Sequence, residues 1–202
     1  MKKILTVVTT LMLLLVLPVL SFGEKSHYKV KNYPFSHIKS VTISSITAQA
    51  YSDPTYRADF NLNEKVSQAL KEALQNRNFK ITDVAGMGGN SAVNIAVHVE
   101  GLGVFTVHED PYDETRTVNK KTVATDEHGK DVVVYVPTQE VVHHPAADIP
   151  HAVAILSFKV TDKLTGKEIF TLRDSRERND ETDTSGMLGR ICRDFAKDLT
   201  KN

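Results

Sequence analysis

The chain has 202 residues, with 25 lysines and arginines against 25 aspartates and glutamates and a formal net charge of zero. A near-neutral chain without a basic stretch argues against nucleic acid, whose binding rests on neutralised phosphates, and against anionic membrane surfaces. Cys192 is the only cysteine, which excludes an internal disulfide and leaves packing to hold the fold.

Lys2-Lys3, an uncharged apolar run from Ile4 to Leu20 broken by Pro18, and the small residues Ser21 and Gly23 form the three-part pattern of a secretory signal. The expectation is a signal peptide over residues 1–23, cleaved after Gly23. An uncleaved anchor is the rival reading, because the run approaches the roughly 20 residues that span a bilayer. Pro18 and the small residues favour cleavage. Removing the segment leaves a slight acidic excess in a soluble chain the size of one ordinary domain. No cysteine follows the apolar run, so no lipid attachment is expected, and the product is extracytoplasmic, either periplasmic or secreted.

Residues 24–37 read as a polar leader, and a single α+β domain is expected over 38–202. The segment Ile38 to Thr47 predicts a first strand, with a loop from Gln49 to Phe60 after it. Val66, Ala69, Leu70, Ala73 and Leu74 then recur on one helical face, and Asn61 with Glu64 is spaced like a capping box. Phe79 to Val84 predicts a second strand. Gly86-Met87-Gly88-Gly89-Asn90 could cradle a phosphate only if a helix opened next. β-patterned residues follow instead, so it reads as a connection.

From Val93 to Val107 apolar residues alternate with polar ones in a long strand, interrupted at Gly101 and Gly103, where another element is expected to pack close. An acidic turn, Glu109 to Glu114, leads to two strands, Arg116 to Ala124 and Asp131 to Val142, joined at Asp126-Glu127-His128-Gly129-Lys130. This polar ribbon, an insertion at about 109–148, is the predicted partner-facing feature. Ala152, Ala154, Leu156, Phe158 and Val160 line one face of the next strand, which turns at Asp162 to Lys167 into Glu168 to Asp174. A polar run, Arg176 to Asp183, precedes a last helix capped by Thr184 or Ser185, with Leu188, Ile191, Cys192, Phe195 and Leu199 on one face. The expected fold is α+β: a mainly antiparallel sheet with two helices packed on one face, in the order β-α-β-β-β-β-β-β-α, with a projecting β-ribbon.

Two stretches carry a resemblance. Val41-Thr42-Ile43, then Asn61-Leu62-Asn63 leading through Val66 to Leu74 into Phe79-Lys80-Ile81, resembles the opening of bacterial envelope proteins related to the curli secretion channel subunit and to the lipoprotein activators of penicillin-binding proteins. Ile155 to Val160, with Asp162, Thr165-Gly166-Lys167 and Phe170 before a final helix, is similar to a family of uncharacterised envelope lipoproteins. Together they cover most of the chain beyond the signal. The resemblance implies an extracytoplasmic, non-enzymatic module that binds other envelope components. It carries over no catalytic residues, and this chain lacks the lipid-bearing cysteine of those relatives.

Candidate chemistry centres on Val141-Val142-His143-His144-Pro145-Ala146-Ala147-Asp148-Ile149-Pro150-His151. Metal binding needs ligands converging on one point, and His143 and His144 would point to opposite faces of a strand. If the proline-bracketed connector folded back, His144, Asp148 and His151 could form a metal site; otherwise they are surface side chains at the foot of the ribbon, the reading favoured here. Eight histidines also raise pH sensing, at ordinary pKa values of about 6.5. His98 and His108 lie roughly 33 Å apart along a straight strand. Cys192, on an apolar stripe, reads as core before reactive thiol. The acidic runs Glu109 to Glu114 and Asp180 to Asp183 read as solvated surface, and no nucleophile elbow is present.

The conclusion from sequence is a binding or assembly module of the bacterial envelope without enzymatic activity. It needs no cofactor, takes an envelope protein or another copy of itself as partner, and has no stable membrane insertion after cleavage. The alternatives are a metal-binding protein using His144, Asp148 and His151, and a hydrolase assembled from distant residues.

Overall fold

The computed structural model describes residues 24–82 and 92–201. The signal peptide expected at 1–23 and the glycine-rich connection expected at 86–90 lie outside the described residues. Two compact units emerge: one from residues 24–82, 92–105 and 151–201, the other from Thr106–Pro150. The fold is α+β.

The first unit holds a mixed sheet. Its strands are β1 (Lys25–Lys29), β2 (Ser40–Ala48), β3 (Arg57–Ala58), β4 (Lys80–Ile81), β5 (Ala92–Glu109), β8 (Ala147–Asp162) and β9 (Glu168–Asn179). The order is β1-β9-β8-β5-β2-β4, with β3 paired to β5. β2 runs parallel to β4 and β5, because helix α1 (Leu62–Gln75) carries the chain back over the sheet between β2 and β4. β1, β8 and β9 pair antiparallel, as expected of the hairpin. Helix α2 (Ser185–Thr200) closes the chain beside α1. From α1 onward the observed element order is the expected one.

The core follows from two periods meeting. Val93, Ile95, Val97 and Val99 alternate onto one face of β5, and Ala152, Ala154, Leu156, Phe158 and Val160 onto one face of β8. Val66, Leu70, Ala73 and Leu74 of α1 recur every three to four residues, as do Met187, Leu188, Ile191, Cys192, Phe195 and Leu199 of α2, and all join one buried cluster. Phe195 stacks on Phe158 at 4.2 Å and on Phe170 at 5.8 Å, anchoring α2 to the sheet. Each such fully buried side chain contributes roughly 1.5–3 kcal/mol.

The expected N-cap residues Asn61 and Thr184 stand at the two helix starts, but neither makes a side-chain cap bond. Asn61 sits left-handed at φ 54° with no side-chain cap bond, so its side chain does not close the capping box with Glu64. At α2, the Asp183 carboxylate accepts the Ser185 N–H at 2.9 Å, which holds that carboxyl below its ordinary range. The Thr184 hydroxyl donates instead to Asp59, which also accepts Lys65 Nζ at 3.0 Å; one carboxylate thus joins the starts of both helices.

The expected leader is structured. β1 adds to the sheet edge against β9, and Phe35 in a single 3-10 turn (Phe35–His37) is buried. Lys-Ser-His-Tyr-Lys shows no apolar alternation because an edge strand gains most from backbone pairing. The predicted proline-bracketed connector also shrinks to Pro145-Ala146, because β8 begins at Ala147 and accommodates Pro150. β9 likewise extends to Asn179, absorbing part of the polar run.

The second unit contains the ribbon, β6 (Tyr112–Thr125) paired antiparallel to β7 (Asp131–His144) in unbroken register. Asp126 builds its turn: its carboxylate accepts the N–H groups of His128 and Lys130, and Gly129 takes φ +75°.

Candidate functional site

The sheet face turned away from the helices carries polar side chains. Ser45, Thr47, His98, Ser157, Thr171 and Arg173 help line a shallow concavity of 580 Å³ there. Its charges are already engaged. Arg173 Nε reaches both Glu100 oxygens at 3.0 and 2.9 Å, Nη2 reaches one at 2.8 Å, and the Ser157 hydroxyl donates to Glu100 at 2.6 Å. The Arg173 bonds hold Glu100 below the usual carboxylate range against the opposing effect of burial. His98 lies 3.0 Å from the Thr47 hydroxyl through Nδ1 and 3.1 Å from Gln49 Oε1 through Nε2, so both ring nitrogens have partners.

At one edge of this unit, aromatic rings gather. Tyr51 lies 4.9 Å from Tyr56 and 5.9 Å from Phe105, and Phe105 lies 5.3 Å from the ring of His151. Gly101 makes room for Tyr51, because a Cβ there would stand 3.0 Å from the ring; at Gly103 a Cβ would meet the Arg57 carbonyl of β3 at 2.1 Å. These are the close approaches expected at the two glycines. Burial, reinforced by the charges of Glu177 and Asp53, raises the Tyr51 phenol above its ordinary pKa. The cluster was not anticipated, since Tyr51 and Tyr56 read only as loop residues; the small residue at 101 was its one sequence signal.

The histidines of the stretch at 141–151 are each matched to a separate acid. His143 Nδ1 is 2.7 Å from Asp113, and His144 Nε2 is 3.2 Å from Glu114 while its ring stacks on Tyr112 at 4.5 Å. Asp148 is 2.7 Å from His108 Nδ1, and His151 Nδ1 is 2.7 Å from Glu177. Asp148 and His151 lie three residues apart within β8, where side chains alternate. Among the described residues no group of three or more His, Cys, Asp or Glu side chains is placed to hold a metal ion. Asp148 raises the pKa of His108, through its hydrogen bond first and its charge second. Cys192 is fully buried, and burial pushes its thiol up to about 12.

The ribbon differs in character from the rest. Val123, Val133, Tyr135, Val136 and Val141 are all exposed on its two strands. Apolar residues at this density on a two-stranded sheet have no layer of their own unit to cover them.

No family model matches this chain, and no curated protein matches it. Solved structures do. A PelC dodecamer from Paraburkholderia phytofirmans is 9% identical with a TM-score of 0.49, covering 90% of this chain and 99% of that one. A PDZ domain protein from Parabacteroides distasonis is 11% identical with a TM-score of 0.36, over 85% of this chain and 34% of that one. A minor lipoprotein from Acinetobacter baumannii is 12% identical with a TM-score of 0.29, over 77% and 88%. The α+β assignment rests on this chain's own elements. No helix among the described residues is long and apolar enough to cross a membrane.

Proposed function

We propose that this protein is an exported, non-enzymatic binding or assembly module of the bacterial cell envelope, with the ribbon as its partner-facing part. The observation that carries this reading is the exposure of Val123, Val133, Tyr135, Val136 and Val141 on a two-stranded sheet. A lone hairpin is marginal in water, so a long one bearing apolar side chains gains most by binding something. The paired polar groups on the sheet face support a module without catalysis: Glu100 is taken by Arg173, and His98 by Thr47 and Gln49.

The test replaces 112–144 by a short glycine-serine link and places a photo-crosslinking amino acid at Tyr135 in the parent chain. The link variant is expected to melt cooperatively near the parent temperature. The crosslinker is expected to capture one defined envelope protein or a second copy of the chain, and the link variant to lose that association. Retention of the same association without the ribbon, or recovery of the chain in the cytoplasmic fraction, overturns the reading.

A further inference from the structure

The ribbon has two long edges, and they are not equivalent. At the turn, the Asp126 N–H donates to the Lys130 carbonyl at 2.8 Å, so Asp126 directs its backbone groups at β7. Direction alternates along an antiparallel strand, and the register is unbroken from Thr125↔Asp131 to Tyr112↔His144. Even-numbered residues of both strands therefore spend their N–H and C=O groups inside the ribbon, and odd-numbered ones aim theirs outward.

On β7 the outward set includes Pro137, which has no N–H to offer, so the middle of that edge is closed to a further strand. On β6 the outward set includes Asp113, Thr115, Thr117, Asn119 and Lys121, an uninterrupted row of donors and acceptors. β6 pairs only with β7 among the described residues.

The side chains of β6 add a second, independent feature: two carboxylates, Asp113-Glu114, and two ammonium groups, Lys120-Lys121, placed symmetrically about Thr117. An antiparallel copy of the same strand centred on Thr117 sets Lys121 opposite Asp113 and Lys120 opposite Glu114, and does so twice across the two-fold axis. Thr115 then meets Asn119, and Thr117 meets its own copy. Directly opposed unlike charges stabilise strand pairs, and like charges oppose them. A shift of the centre to Val118 sets Lys120 against Arg116. A shift to Arg116 sets the lysines against Pro111 and Tyr112, and the four ion pairs are lost. Asp113 and Glu114 already face His143 and His144, but an ionised carboxylate has lone pairs for a second donor.

We propose that the β6 edge is a self-association site: two copies of this chain pair through β6, antiparallel about Thr117, into a four-stranded ribbon β7-β6-β6-β7. Of these three registers only the one centred on Thr117 keeps all four ion pairs. The inference specifies the partner within the reading above and rests on the ribbon being its binding part.

The test uses Thr117→Cys in the purified protein, where Cys192 is buried and does not compete. The two Thr117 Cα atoms of a hydrogen-bonded antiparallel pair stand about 5.5 Å apart, within the range of a disulfide. Mild oxidation is expected to yield a covalent dimer rapidly, while Val123→Cys, also outward on β6 but off the axis, stays monomeric. In sedimentation, Thr117→Pro removes the central donor without touching the bonds to β7 and is expected to abolish the dimer with an unchanged circular dichroism spectrum. Asp113→Lys and Lys121→Glu are each expected to weaken association about tenfold or more, and the double exchange to restore it. A parent chain that stays monomeric at every concentration, equal crosslinking at positions 117 and 123, or no rescue by the double exchange overturns the proposal. If the site fails while the link variant still loses a captured envelope protein, the broader reading stands and only self-pairing falls.

Discussion

Strand alternation is answered by a covering layer in the unit built around α1 and α2, and by nothing of its own in Thr106–Pro150. β5 and β8 place alternate valines, leucines and phenylalanines beneath two helices, while β6 and β7 place valines and a tyrosine on a ribbon two strands wide. The same β-forming chemistry therefore stabilises one unit and leaves the other with exposed apolar side chains. Substitution should separate the two sharply.

The largest effect is expected at Phe195→Ala, which removes the ring stacked on Phe158 and Phe170 and should cost about 3–5 kcal/mol in urea unfolding. A loss below about 1 kcal/mol would mean that α2 contributes little to the core. Next comes Gly103→Ala, where the new methyl meets the Arg57 carbonyl at 2.1 Å and backbone must move; about 1–3 kcal/mol is expected by the same measurement.

Proton linkage gives the units opposite signs. Glu100 is held below its ordinary pKa by Arg173, so its contribution is present above the unfolded value of about 4.3 and is lost as pH falls through the folded value. Glu100→Gln should lower stability at neutral pH and flatten the acid slope. His108 is raised by Asp148, so its contribution is present below about 6.5 and disappears as pH rises through the folded value. NMR titration should find the His108 pKa returned toward its ordinary value in Asp148→Asn. An unchanged titration would break the assignment of that pair.

The smallest effect belongs to the ribbon surface. Val133→Ala should alter the unfolding free energy by no more than about 0.5 kcal/mol, because the side chain is already exposed. Amide exchange should be slow along β5 and β8 and faster in the ribbon, with the outward amides of Thr115, Thr117 and Asn119 gaining protection as concentration rises. Uniform protection across the two strand sets would erase the contrast between units.

Legibility in the sequence followed how local the signal was. The α1 and α2 stripes, the β8–β9 hairpin, the long β5 and the ribbon turn were readable because period and turn chemistry lie within a dozen residues. β1 was not, since an edge strand carries no apolar alternation, and neither was the aromatic cluster of Tyr51, Tyr56 and Phe105, because Phe105 is far in sequence from the two tyrosines. The histidine motif was read as a connector because Pro145 and Pro150 suggested one; β8 nevertheless starts at Ala147 and holds Asp148 and His151 at alternating positions. The Thr184 side chain makes no cap bond for a related reason: it is drawn to Asp59, 125 residues away, so the neighbouring Asp183 carboxylate takes over the local role.

What the sequence determined by itself is the class and the order of elements from α1 onward, because apolar period and chain punctuation are properties of short segments. Only tertiary structure decided which acid each histidine meets, that β2 lies parallel between β4 and β5, and which edge of the ribbon lies open. Those outcomes depend on pairings between segments many residues apart, whose register is set by backbone hydrogen bonds and burial rather than by any local pattern.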